Sequence, residues 1–223
     1  NYLPEGFLTK YEYDQFEAAL PGVDLVNAHT IIDRLATIKD EGTINRFREA
    51  SRIVDVGHRA VFEALSNGGW RGMTETEIGG LAAHAMRKEG SEFEWSFTGG
   101  NEIASGYRTA LAGGACTPAT RRQIKEGESL MVDIHAMFKL GLGDHAHNYF
   151  IGKATDRQRW HAGNFLEMVR RTLETYRAGV TPVGLAQEMM DFAEEGGFSE
   201  YMVPGFEHGI GMRGCEGRSG LNG

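Results

Sequence analysis

Apolar positions set the first half of the chain apart from about residue 40 onward. From Thr43 the residues Ile44, Phe47, Ala50, Val54, Val61 and Leu65 recur at three- to four-residue steps, which predicts an amphipathic helix over 43–66. A second helix opens at "MTETEIG", where Thr74 can cap and Glu77 stands at the capping-box spacing, and Gly90 is placed to stop it. The succession then returns. A long amphipathic stretch over 156–178 leads into "GVTPVGLAQEMMDFAEEGG", which puts Gly179 on Gly72, Thr181 on Thr74, Leu185 on Ile78 and Gly197 on Gly90, with Pro182 at the first helical position. Each helix pair precedes short apolar segments of strand character. A duplicated helix–helix–strand unit implies an α+β domain with a pseudo-two-fold, its paired helices covering a curved antiparallel sheet. Residues 1–40 lack a clear period and are expected to be the end of an N-terminal module and a linker, with "GVDLVNAHTIIDRL" as a connecting strand. Residues 41–223 form the main domain.

Within that domain "SLMVDIHAMF" alternates, with Leu130, Val132, Ile134 and Ala136 on one face and Asp133, His135 and Met137 on the other. "KLGLG" is expected to make the turn, and "DHAHNYFIG" returns with Asp144, Ala146 and Asn148 on one face, opposite His145, His147 and Tyr149. Asp133 and Asp144 lie eleven positions apart across a hairpin, so their carboxylates can converge on one side of the sheet. A carboxylate in the apolar setting of "SLMV" is costly unless paired or coordinating a cation. Two readings stand side by side: solvated aspartates on a wet hairpin, or hard oxygen ligands suited to Mn²⁺, Fe²⁺, Co²⁺ or Zn²⁺. His135 shares the face of Asp133 and can join it or support it from behind; His145 and His147 face away as packing or surface residues. In "GFEHGIGMRGCEG" the glycines around Ile210 allow a tight backbone that fixes the direction of His208.

Composition narrows the possibilities. At 41% hydrophobic and 24% charged the chain can bury a core, and a net charge of −8 argues against a nucleic-acid backbone as partner. Two cysteines make no disulfide framework, no apolar run approaches the length of a membrane span, and no signal segment opens the chain, so a soluble, cytoplasmic protein is expected. The chain opens at Asn1 and closes on a glycine-rich "SGLNG", which reads as a piece of a longer polypeptide.

Taken together, "VDIHA", "GDHAHNYFIG", "EHGIG", "IASGYRTALAGG" and the opening "TIIDRLATIKDEGTINRFREASRIVDVGHRAV" resemble the M24 metallopeptidases of the pita-bread fold, in the Xaa-Pro aminopeptidase, prolidase and creatinase branch. The resemblance spans roughly residues 30–217. It implies a dinuclear divalent-metal site in which Asp133, Asp144 and His208 are ligands, and two glutamate ligands on strands beyond Gly223, one of them the proton shuttle. It also implies a small peptide as substrate and a homodimer. Departures are specific. Cys215, followed by Glu216 and Gly217, stands where the family carries a histidine seven positions after the ligand histidine. Cys116 stands at or near a second substrate-handling histidine, His135 replaces a glycine, and Glu207 replaces the glycine before His208. Cys116, Cys215 and His135 are thereby candidates for substrate contact.

Three functions compete on this basis. One is a metal-dependent hydrolase of the Xaa-Pro peptidase type, whose metal-bridged hydroxide attacks the amide of a small peptide. Another is a creatinase-like enzyme acting on a small non-peptide nitrogenous substrate. The last is a non-catalytic binding protein on the same shell. Retention of Asp133, Asp144 and His208 favours the first.

Overall fold

The computed structural model describes residues 8–26, 29–93, 101–114, 117–202, 208–211 and 214–216. Six α-helices and five strands follow in the order α1 (Lys10–Ala19), α2 (His29–Thr37), α3 (Glu41–Leu65), α4 (Glu75–Lys88), β1 (Glu102–Ser105), β2 (Ser129–Phe138), β3 (Gly141–Phe150), α5 (Asp156–Thr175), α6 (Pro182–Glu195), β4 (Gly209–Gly211) and β5 (Gly214–Glu216). The duplicated helix pairs are α3–α4 and α5–α6. Asp40 caps α3, and Thr74 with Glu77 closes a full capping box on α4. Thr181 caps α6 with Pro182 in its first turn. Gly90 and Gly197, one behind each second helix, both take positive φ, the backbone for which glycine is the inexpensive choice.

Before residue 40 the expectation needs correction. In place of a connecting strand, the described residues hold α1, with its own Thr9–Glu12 capping box, and α2 over His29–Thr37. With Arg34 and Leu35 the apolar run "TIID" continues a helical period.

β1, β2 and β3 form an antiparallel sheet in that order, with Glu102 opposite Asp133, and His135 opposite Asp144. Leu130, Val132, Ile134 and Ala136 are fully buried on the face toward α3 and α4, where Ile53, Val54, Val61, Ile78, Ala82 and Met86 meet them. A second, smaller core joins Met168 of α5 to Leu185, Met189 and Ala193 of α6 and to Phe198. Glu75, fully buried at the start of α4, accepts from the backbone and hydroxyls of Ser105 and Thr120 and pairs with Arg108, which ties α4 to the segment after β1.

The hairpin turn is shorter than "KLGLG" suggests. Phe138 pairs with Gly141, so the loop is only Lys139–Leu140, and both residues take positive φ (48° and 63°), the signature of a type I′ turn. Gly141 and Gly143 are strand residues. A Cβ on Gly143 would stand 2.5 Å from the carbonyl carbon and oxygen of Ala50, and one on Gly141 2.8 Å from Arg46, so these glycines let α3 cross directly on the strand. Gly57 repeats the device from the helix side, with Ile134 and Met86 where its side chain would be.

Gly143→Ala is therefore expected to cost about 1–3 kcal/mol, because the obstruction is helix backbone. The double change Lys139→Asn with Leu140→Gly is expected to stabilise by about 1 kcal/mol by relieving left-handed backbone at the turn. Chemical denaturation of the two variants checks both signs.

Candidate metal centre

The register of the hairpin brings the acidic residues together. On the sheet face away from α3, His135 Nε2 lies 3.2 Å from Asp144 Oδ1 and 3.5 Å from Asp133 Oδ1. His208, arriving just before β4, places its Nε2 3.7 Å from Asp144 Oδ2. Ligand atoms of Asp133, His135 and Asp144 all fall within 4.8 Å of one another. Of the residues expected at this site, Asp133, Asp144, His208 and His135 thus converge. Cys116 lies outside the described residues, as does Glu207, and Cys215 is placed only by its backbone, opposite Ile210 in the β4–β5 pair.

Glu102 is a member the alternation along β2 and β3 did not reveal. It sits opposite Asp133 on β1, is 1% exposed, and its Oε2 is buried with no hydrogen-bond partner; the same is true of Asp133 Oδ1. Burial raises the carboxyl of Glu102, and the neighbouring charges of Asp133 and Asp144 add to that. Asp133 is likewise pushed up, by burial first, with Asp144 adding to it and His135 opposing. Burial would also raise Asp144, but the hydrogen bond from His135 and the charges of His135 and His208 outweigh it and hold this carboxyl below its usual range. Burial would lower His135, yet its contact with Asp144 and the charges of Asp133 and Glu102 leave it raised. Two carboxylates on one face are driven apart in this way, a pattern typical of chemical sites.

Buried carboxylate oxygens without donors are expensive unless a cation meets them. The donor set, oxygens of Asp133 and Asp144 with imidazoles beside them, fits a divalent transition ion. The aspartates on a solvated hairpin are thereby set aside: both carboxylates are largely enclosed, with side-chain exposures of 21% and 17%. His145 and His147 project from the other face of β3, as expected, though they are not isolated there: His58 of α3 packs against both.

A paired-helix α+β domain carrying two aspartates across a hairpin and a histidine from the second repeat defines a protein of the pita-bread class. The family model described as metallopeptidase family M24 matches residues 45–222, and the chain belongs to that family. It is similar to the Xaa-Pro dipeptidase of Pyrococcus furiosus, 24% identical over 93% of this chain and 57% of that protein. It is also similar to the probable dipeptidase PepE of Mycobacterium tuberculosis, 28% identical over 86% of this chain and 48% of that one. Among solved structures, the X-Pro aminopeptidase from Thermotoga maritima superposes with a TM-score of 0.77 at 27% identity, over 94% of this chain and 57% of that one. The prolidase from Pyrococcus horikoshii superposes with a TM-score of 0.86 at 23% identity, over 98% of this chain and 60% of that one. The chain spans about half to three-fifths of the length of these relatives.

Replacing Glu102 by its neutral isostere removes a buried negative charge beside Asp133, one oxygen of which has no donor. Glu102→Gln is expected to stabilise the chelator-treated protein by about 1 kcal/mol and to shrink the stabilisation that Mn²⁺ provides. Thermal melts with and without the ion measure both effects.

Proposed function

We propose that the protein containing this chain is a metal-dependent hydrolase of the Xaa-Pro peptidase type that cleaves the amide of a small peptide. The observation that carries the reading is the convergence of Asp133, His135 and Asp144, with His208 beside Asp144, around an Asp133 oxygen that no donor satisfies. Membership in a metallopeptidase family supports it, as does similarity to proteins named Xaa-Pro dipeptidase and X-Pro aminopeptidase.

In this reading Asp133 and Asp144 hold the metal from β2 and β3, and His208 adds a nitrogen ligand from the second repeat. When bound, a pair of divalent ions supplies Lewis acidity and lowers the pKa of water enough to make a nucleophile near neutral pH. The chain's own contribution is rigidity: both aspartates stand on strands whose register is fixed by the helix behind them. His135, hydrogen-bonded to Asp144, keeps that carboxylate ionised and oriented and borders the space where a substrate amide would lie. Glu102 adds negative charge beside Asp133, which favours cation retention. The proposal extends to two ions per chain, drawn from Mn, Co, Fe or Zn, to further glutamate ligands outside this segment, to a homodimer and to a cytoplasmic setting. Among the described residues no helix is long and apolar enough to cross a membrane.

Plasma mass spectrometry on the full-length protein, purified without chelator, is expected to find two divalent ions per chain. Asp133→Ala is expected to lose at least one ion and to lower hydrolysis of an Xaa-Pro dipeptide by roughly a hundredfold or more. A wild-type protein with no bound metal and full peptidase activity would overturn the reading.

A further inference from the structure

The face of the hairpin opposite the aspartates carries a second group of ligating side chains. We propose that His58, His145 and His147 form a separate site for one borderline transition ion, with Zn²⁺ as its natural probe.

The argument begins with placement. His145 and His147 stand two residues apart on β3 and so share a face, and His58 comes up to them from α3. Ligand atoms of all three lie within 4.8 Å of one another. The Nε2 atoms of His145 and His147 are 3.2 Å apart, close to the edge of a tetrahedral shell, which is roughly 3.3 Å for Zn–N bonds of about 2.0–2.1 Å.

Second, the imidazoles are supported as ligands usually are. His58 is 4% exposed, and its ring Nε2 lies 3.0 Å from the backbone carbonyl of His145, where it donates its proton. That bond fixes the tautomer and leaves the Nδ1 lone pair, now 3.3 Å from the Tyr149 hydroxyl, as the donor that the ring can offer an ion. Asp55, one turn before His58 on α3, lies 3.7 Å from His145 Nδ1, while the Nε2 of that ring faces His147.

Third, the neighbouring rings can adjust. His58 and His147 are stacked at 4.0 Å, whereas His145 is edge-on to both. Binding would require the partly exposed His147 to rotate about its side-chain torsions out of the stack, while the buried His58 stays in place. An all-imidazole donor set selects Zn²⁺, Ni²⁺ or Cu²⁺ over Mg²⁺, Ca²⁺ or Mn²⁺, so this site and the carboxylate-rich centre differ in the ions they prefer.

The test separates the two sites. Full-length protein carrying Asp133→Asn and Asp144→Asn, stripped with chelator, is titrated with Zn²⁺ by calorimetry and with Co²⁺ by visible absorption. One ion per chain with a tetrahedral Co²⁺ spectrum is expected. Adding His145→Ala and His147→Ala should weaken that binding at least tenfold, while His161→Ala, on α5, should not. As a second arm, His145→Ala with His147→Ala in the otherwise native protein should lower total zinc by one ion per chain while circular dichroism stays unchanged. Absence of zinc binding in the aspartate variant, or binding indifferent to the histidine changes in both arms, would overturn the proposal.

Discussion

The structure depends on how closely α3 can lie on the β2–β3 hairpin. Gly141 and Gly143 present bare backbone to Arg46 and Ala50, and Gly57 answers from the helix, so helix and strand meet without intervening side chains. This contact holds β3 against β2 in one register. A slip of one residue would turn Asp144 to the helix and His145 to the acidic face. The side-chain chemistry on both faces of the hairpin therefore rests on glycines that take part in none of it.

Much of this was legible in the chain. Helix starts carry their caps in the sequence, and Thr74 with Glu77 and Thr181 with Pro182 stand where their spacing placed them, whereas α3 starts at Glu41 behind Asp40, two residues before the apolar period shows it. The alternation in "SLMVDIHAMF" sorted core from site face because one face is buried against two helices and the other is not. The convergence of Asp133 with Asp144 followed from hairpin arithmetic alone, and His208 was found through its glycine setting and the family resemblance.

What was not legible needed partners distant in sequence. Glu102 lies in a four-residue strand too short for its alternation to speak, and its meaning comes from the cross-strand register with Asp133. His58 occupies a position in the apolar stripe of α3, between Val54 and Val61, where a lone histidine reads as core; only the return of β3 shows what it meets. The glycines of "KLGLG" suggest a turn, because glycine more often serves turns than close packing, yet the left-handed backbone falls on Lys139 and Leu140. Near residue 30 the helical period is too short to stand out from the irregular stretch before it, so α2 is absent from the sequence reading.

The two cores have one further implication. One lies under β1–β3 and the other between α5 and α6, and they belong to different halves of the duplication. His208 reaches Asp144 from the second half, so the acidic centre is also a seam. An ion seated there would act as a rivet between two cooperative units, and their melting would merge into one transition or separate into two according to whether that rivet is in place.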